Sequence, residues 1–125
     1  MSFLRNTWYA ACWSADLKPG APLAKTILCD PVVLWRDARG MPVALEDRCC
    51  HRHLPLSLGK ITGETVQCGY HGLEFDATGA CVGVPGQSKV PPGASVRAFP
   101  VCEKYSMIWI WPGDSALADE NDIPE

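Results

Sequence analysis

The chain concentrates its metal-binding side chains in two short segments, Cys49-Cys50-His51-Arg52-His53 and Cys68-Gly69-Tyr70-His71-Gly72. Written as spacing they give Cys49-x-His51, sixteen intervening residues, and then Cys68-x-x-His71. A short β-prone run leads into each segment, so we expect two loops that meet at one inorganic group. Two thiolates and two imidazoles suit either tetrahedral zinc or a 2Fe-2S cluster in which one iron takes the cysteines and the other takes the histidines.

The way in which the ligands are divided between the loops distinguishes these two groups. Structural zinc usually takes both members of a cysteine pair, about two to four residues apart, on the same metal. Here each loop mixes one Cys with one His, so each loop can contribute one ligand to each of two adjacent metals. The pattern favours the 2Fe-2S cluster, with zinc as the alternative.

The double motif resembles the signature of Rieske iron-sulfur proteins, including the neighbouring His51-Arg52 and Tyr70-His71-Gly72. The resemblance implies that Cys49, His51, Cys68 and His71 bind the cluster, and it assigns no catalytic residue to this chain. The sequence departs from the usual pattern at Cys50, where the family usually carries Pro, and at His53-Leu54, where Gly-Ala is commoner. Neither departure changes a ligand.

Two positions indicate the branch of this family. Rieske proteins of respiratory complexes carry a further Cys in each loop, and those cysteines form a disulfide across the cluster. Leu54 and Tyr70 stand at the corresponding positions here, so that bridge cannot form. The sequence therefore resembles the low-potential, oxygenase-type branch.

Further segments of the chain extend the likeness. They are Asn6-Thr7-Trp8-Tyr9, Pro55-Leu56-Ser57-Leu58-Gly59, Gly69-Tyr70-His71-Gly72-Leu73-Glu74, Val84-Pro85-Gly86-Gln87 and Ile108-Trp109-Ile110-Trp111-Pro112-Gly113-Asp114. Together they resemble the N-terminal region of vanillate O-demethylase oxygenase subunits and related aromatic-ring Rieske monooxygenases. The likeness covers nearly all of this chain but only the first part of such a subunit.

The resemblance implies specific partners. They are a flavin and iron-sulfur reductase as electron donor and, as acceptor, a larger C-terminal catalytic domain of the same or a neighbouring subunit. In the family that domain holds a mononuclear iron, which His71 would face through a carboxylate of the neighbouring subunit. The full-length subunit is expected to be a homotrimer.

The histidine count tests whether the catalytic iron could be bound within this chain. The cluster takes His51 and His71 and leaves only His53, whereas the iron site needs two His and one carboxylate. We therefore expect an electron-transfer module that belongs to a longer oxygenase. A free-standing Rieske ferredoxin and a zinc-stabilised binding module are the alternatives.

The remaining sequence predicts an all-β domain of antiparallel sheets, with both cluster-binding loops at one tip. Gly and Pro contribute 11 residues each, and no window of about 12 residues carries a helical apolar stripe free of them. We expect one hairpin from Val32 to Glu46 and a last hairpin made of Val96 to Lys104 and Met107 to Trp111. Residues 1–113 are predicted to form the Rieske domain. The acidic residues 114–125 are predicted to be a linker or the truncated start of a catalytic domain.

Composition excludes several other classes of protein. A net charge of −3 without clustered Lys and Arg argues against nucleic acid as a partner. No apolar stretch approaches the roughly 18 residues that a membrane span needs. Seven cysteines, an odd number, favour reduced thiols over a disulfide scaffold, so we expect a cytoplasmic protein. Cys12, Cys29, Cys81 and Cys102 are expected to be buried small hydrophobic residues.

Overall fold

The computed structural model describes residues 5–48, 55–69, 73–83 and 94–123. Within these ranges the chain forms short β-strands and single turns of 3-10 helix, and no α-helix. No helix in this part of the chain is long and apolar enough to cross a membrane. The strands are β1 (Tyr9–Trp13), β2 (Leu23–Ile27), β3 (Asp30–Arg36), β4 (Pro42–Glu46), β5 (Lys60–Thr62), β6 (Thr65–Gln67), β7 (Glu74–Phe75), β8 (Cys81–Gly83), β9 (Ala98–Phe99), β10 (Val101–Lys104) and β11 (Met107–Ile110).

The strands pair in three antiparallel sheets, which confirms the predicted fold class. The first sheet has the order β1-β11-β10, the middle sheet β2-β3-β4-β9, and the third sheet β5-β6-β7-β8. The predicted hairpin is β3 with β4, and its pairing runs from Val32 opposite Glu46 to Arg36 opposite Pro42. The second ligand segment, residues 68–72, lies in the connection between β6 and β7 of the third sheet, so we call this sheet the loop-bearing sheet.

The two central strands of the middle sheet, β3 and β4, are buried on both faces because they are apolar at successive positions, whereas the edge strand β2 is mostly exposed. Val33 and Trp35 are fully buried in a core that includes Val66 and Cys68 of the loop-bearing side. Val32 and Leu34 point the opposite way, as alternation along a strand requires, and join a second core with Ile108 and others from the first sheet. Each fully buried Val or Leu contributes about 1.5–3 kcal/mol. The loop-bearing sheet thus packs against the buried central strands of the middle sheet.

The segment from Val96 to Lys104 is not one strand, so that part of the prediction was wrong. Ala98–Phe99 pairs with β4 in the middle sheet, whereas Val101–Lys104 pairs with β11 in the first sheet. Pro100 separates the two strands, and its ring nitrogen has no N–H to continue a ladder. The predicted hairpin of β10 and β11 is present, and its turn at Tyr105 and Ser106 has φ values of 57° and 62°.

The cysteine prediction is right for two residues and wrong for one. Cys12 and Cys81 are buried, and Cys102 is half-buried. Cys29 is exposed, because it lies in the turn between β2 and β3 with a φ of 69°. A residue in that tight turn projects away from the sheet rather than into the core.

The acidic end of the chain packs against the domain more closely than its composition indicates. Residues 115–117 and 120–122 form 3-10 turns, and Ile123 is only 4% exposed in a small core with Trp8 and Trp111. The indole N–H of Trp8 donates to the carbonyl of Asp119 at 2.8 Å. The boundary after residue 113 remains a prediction, but the described residues that follow it, up to Ile123, are attached to the fold.

Candidate metal centre

The second ligand segment starts at the end of an antiparallel ladder. Strands β6 and β7 pair Val66 with Phe75 and Gln67 with Glu74. The amide of Cys68 then donates to the carbonyl of Leu73 at 2.8 Å, which extends the ladder by one pair. Cys68 is therefore held at the base of a loop, and its side chain is 3% exposed. Tyr70, His71 and Gly72 lie outside the described residues.

The first ligand segment leaves the middle sheet directly after β4. Asp47 follows that strand, and its amide donates to the carbonyl of Pro31 at 3.0 Å. Its buried carboxylate accepts hydrogen bonds from Ser57, at 2.7 Å from the amide and 2.6 Å from the hydroxyl. Residues 47 and 57 enclose the predicted ligands Cys49 and His51, which lie outside the described residues, as do Cys50 and His53. The two ends of the first ligand loop are thus tied to each other.

The bases of the two loops touch through two glycines. A β-carbon on Gly59 would collide with the carbonyl of Gln67, and one on Gly69 would lie 3.2 Å from the carbonyl oxygen of Leu58. At position 59 only glycine permits this approach of one backbone to the other, and at position 69 a side chain would be crowded. A cleft of about 390 Å³ opens at the contact, lined by Leu58, Gly59, Lys60, Gln67, Cys68 and Gly69.

The described part of this site fits a thiolate-bound metal group. Cys68 brings a soft sulfur ligand to the junction of the two loops, beside open space. Leu56, Val66 and Leu73 are buried in the same core as Cys68, so its inner side is shielded from water. Lys60 is exposed and is the cationic side chain among the residues that line the cleft.

Cys68 is the one predicted ligand that the described residues include, so the four-residue ligand set remains a prediction. Among these residues no group of three or more His, Cys, Asp or Glu side chains is arranged to hold a metal ion. Sequence reasoning missed Asp47 and Ser57 as parts of the site. The available signal was an Asp at the end of a predicted strand, two positions before Cys49.

Comparison with known proteins agrees with the fold and the motif. The family model of the Rieske 2Fe-2S domain matches residues 7–100. The dicamba O-demethylase oxygenase component of Stenotrophomonas maltophilia is 48% identical over 126 residues, which cover 100% of this chain and 37% of that protein. A vanillate O-demethylase oxygenase subunit of Pseudomonas sp. (strain HR199 / DSM 7063) is 41% identical over 117 residues, which cover 94% of this chain and 32% of that protein.

A solved structure shows the same likeness in three dimensions. The crystal structure of apo dicamba monooxygenase matches with a TM-score of 0.94 and 47% identity, covering 100% of this chain and 39% of that one. The chain thus spans about a third of the length of the two O-demethylase oxygenase components. These matches confirm the resemblance that the two ligand segments indicated. The chain belongs to the family of Rieske 2Fe-2S domains.

Proposed function

We propose that the chain is the electron-transfer domain of the oxygenase component of a two-component aromatic-ring oxygenase, similar to vanillate O-demethylase. The observation that carries the proposal is the buried Cys68 at the junction of two loop bases, within a segment that matches the Rieske domain. The relatives named as O-demethylase oxygenase components support the choice of an oxygenase. In this proposal the enzymatic activity belongs to the longer subunit.

The ligands that we propose are Cys49, His51, Cys68 and His71. When bound, a 2Fe-2S cluster with two thiolates on one iron and two imidazoles on the other takes up and releases one electron at a time. The described residues support this role in two ways. The apolar core under Cys68 excludes water from the sulfur side, and the contact of Gly59 with Gln67 brings the two loop bases together.

The proposed partners follow from the family rather than from contacts within this chain. A flavin and iron-sulfur reductase would supply electrons, and a catalytic domain with mononuclear Fe(II) would receive them. We further propose a homotrimeric full-length subunit in the cytoplasm. The odd number of cysteines, seven, supports a reducing compartment, because they cannot all pair with one another within the chain.

The proposed domain organisation places the Rieske domain in residues 1–113 and the connection to the catalytic domain in residues 114–125. The packing of Ile123 on Trp8 and Trp111 supports a connection that begins as part of the folded domain. A linker that starts in this way would leave the domain from a defined point.

The direct test is the metal content of the purified 125-residue protein. We expect a red-brown protein with about two iron and two sulfide per chain and, after reduction, the electron paramagnetic resonance signal of a mixed-ligand cluster. A colourless protein with about one zinc and no sulfide would overturn the proposal and favour a zinc-stabilised binding module.

A further inference from the structure

The described residues include two buried carboxylates, Asp37 and Asp47, at opposite ends of the hairpin of β3 and β4. Asp37 closes the turn of the hairpin by accepting from the amides of Arg39 and Met41 at 2.9 and 3.0 Å. Asp47 stands at the open end, where the chain leaves for Cys49. The two residues have the same chemistry, but only Asp47 is next to the candidate metal centre.

Asp47 connects the start of the first loop to the middle sheet through its backbone and to the end of the same loop through its side chain. Its amide is bonded to Pro31 of β3, and both of its carboxylate oxygens accept hydrogen bonds from Ser57. A buried carboxylate is costly unless its oxygens are hydrogen-bonded, and bonds to a charged acceptor are the stronger kind. Residue 57 is therefore held firmly relative to β3.

The connection continues from Ser57 to the second loop. Ser57 lies in the 3-10 turn Leu56–Leu58, which is anchored by the fully buried Leu56. The next residue along, Gly59, lies against the carbonyl of Gln67, and Gly69 lies against the carbonyl of Leu58. Ser57 is therefore connected to the base of the second loop, with Cys68, through this turn and the two glycine contacts.

We propose that Asp47 is a positioning residue for the metal centre, which holds the two ligand loops at a fixed separation through Ser57. The inference rests on the proposed function, because it takes Cys49 and His51 in one loop and Cys68 and His71 in the other as ligands. Removal of residues that orient ligands without touching the metal typically lowers metal affinity or activity by about 10- to 100-fold.

The test compares Asp47→Ala with Asp37→Ala in the cluster-loaded 125-residue protein. We expect Asp47→Ala to lose its visible absorbance to a chelator about 10- to 100-fold faster than wild type. The electron paramagnetic resonance signal of its reduced cluster should broaden, because the distance between the two loops then varies from molecule to molecule. The Ser57 amide should lose its protection from hydrogen exchange. Asp37→Ala should match wild type in all three readouts, although it removes an equally buried carboxylate from the same hairpin.

Two further variants keep the test decisive if Asp47→Ala does not fold. Asp47→Asn keeps an acceptor for the Ser57 amide and offers a donor to the Ser57 hydroxyl, so it should retain the cluster nearly as well as wild type. Ser57→Ala removes the hydroxyl alone and should lose the cluster at an intermediate rate. A folded Ser57→Ala protein with wild-type retention and signal would overturn the proposal, as would identical behaviour of Asp47→Ala and Asp37→Ala. Failure of the proposed function would instead be seen in the wild-type protein, which would contain no iron-sulfur cluster.

Discussion

Arg36 of β3 and Glu103 of β10 form a two-pronged ion pair that joins the middle sheet to the first sheet. Nη1 donates to Oε1 at 2.9 Å and Nη2 donates to Oε2 at 2.7 Å. The same guanidinium donates to the carbonyls of Ser14, Leu17 and Gly40. One side chain therefore joins β3 to β10, to the turn that precedes β4 and to the segment that follows β1.

Replacing Arg36 with Met should destabilise the domain by about 2–3 kcal/mol, because hydrogen bonds to charged groups are lost and carbonyls are left without a donor. Chemical unfolding at neutral pH measures the change. Arg39→Met is the matched control, since the Arg39 side chain is 78% exposed and its only ion pair among the described residues is a long one, 3.4 Å from Nη2 to Oδ2 of Asp37. The control should stay within about 0.5 kcal/mol of wild type, and an equal loss in both variants would contradict the role given to Arg36.

The stabilising effect of this ion pair should disappear in acid. The hydrogen bond from Arg36 is the main cause that holds the pKa of Glu103 below its ordinary value, although partial burial works in the opposite direction. A carboxyl group with a lowered folded-state pKa contributes stability above its unfolded pKa, about 4.3 for Glu, and loses it as the pH falls through the folded pKa. Wild type should exceed Glu103→Gln in unfolding free energy at pH 7, and the difference should shrink below about pH 4. A pH-independent difference would show that ionisation of Glu103 is not its source.

Cys68→Ala should abolish the cluster, because the variant removes one of the proposed thiolate ligands from the loop junction. Metal binding also contributes to folding at such sites, so the loops should lose hydrogen-exchange protection as well. Cys12→Ala is the matched control, a buried thiol in the core on the other side of the middle sheet. The visible spectrum and iron content should vanish only in Cys68→Ala, and a full spectrum in that variant would refute the ligand assignment.

The reduction potential should lie in the lower part of the range of about −150 to +300 mV known for Rieske centres. Leu73 offers no hydroxyl to the cluster sulfurs, and Leu54 and Tyr70 cannot form a loop disulfide. Leu73→Ser should raise the midpoint relative to Leu73→Ala, which loses the same core packing without adding a donor. A wild-type midpoint above roughly +150 mV would contradict the expectation of few hydrogen bonds to sulfur.

The 125-residue protein should accept electrons without oxidising a substrate, since its three histidines leave only His53 after the cluster is formed. Incubation with a flavin and iron-sulfur reductase, NADH, oxygen and a methoxybenzoate should bleach the visible spectrum and yield no formaldehyde. Substrate-dependent formaldehyde from this chain alone would overturn the proposal that the chain is an electron-transfer domain. His71→Ala is the control for electron uptake and should remain colourless.

Sequence patterns predicted those features of the fold that depend on neighbouring residues. The hairpin of β3 and β4 is one, because two apolar runs flank a turn-rich segment and the register follows from the turn. Pro100 was a local signal that the run from residue 96 to residue 104 is interrupted, but the sheet that each half joins was not predictable from the sequence. The partner of each half is chosen by packing against strands that are distant in sequence.

Burial of single residues was the less predictable part. Cys29 follows the apolar pair Ile27 and Leu28, yet its turn conformation directs it to solvent. Leu117 and Ile123 both lie in the acidic segment, yet only Ile123 is buried, because it packs on Trp8 near the other end of the chain. Asp47 shows the same limit at the candidate site, because the hydrogen bonds that make its burial tolerable come from Ser57, across the first loop.

The chain crosses from the middle sheet to the first sheet at Pro100, and this crossing couples the stability of the two sheets. β9 completes the edge of the middle sheet, and only one residue later β10 forms the edge of the first sheet. Separation of either edge strand from its sheet displaces the other, because only Pro100 lies between them. The ion pair of Arg36 and Glu103 joins the same two sheets at a second point. The two sheets should consequently unfold in one cooperative step rather than as independent units. Loss of the pairing between β9 and β4 should therefore also destabilise the first sheet, through β10.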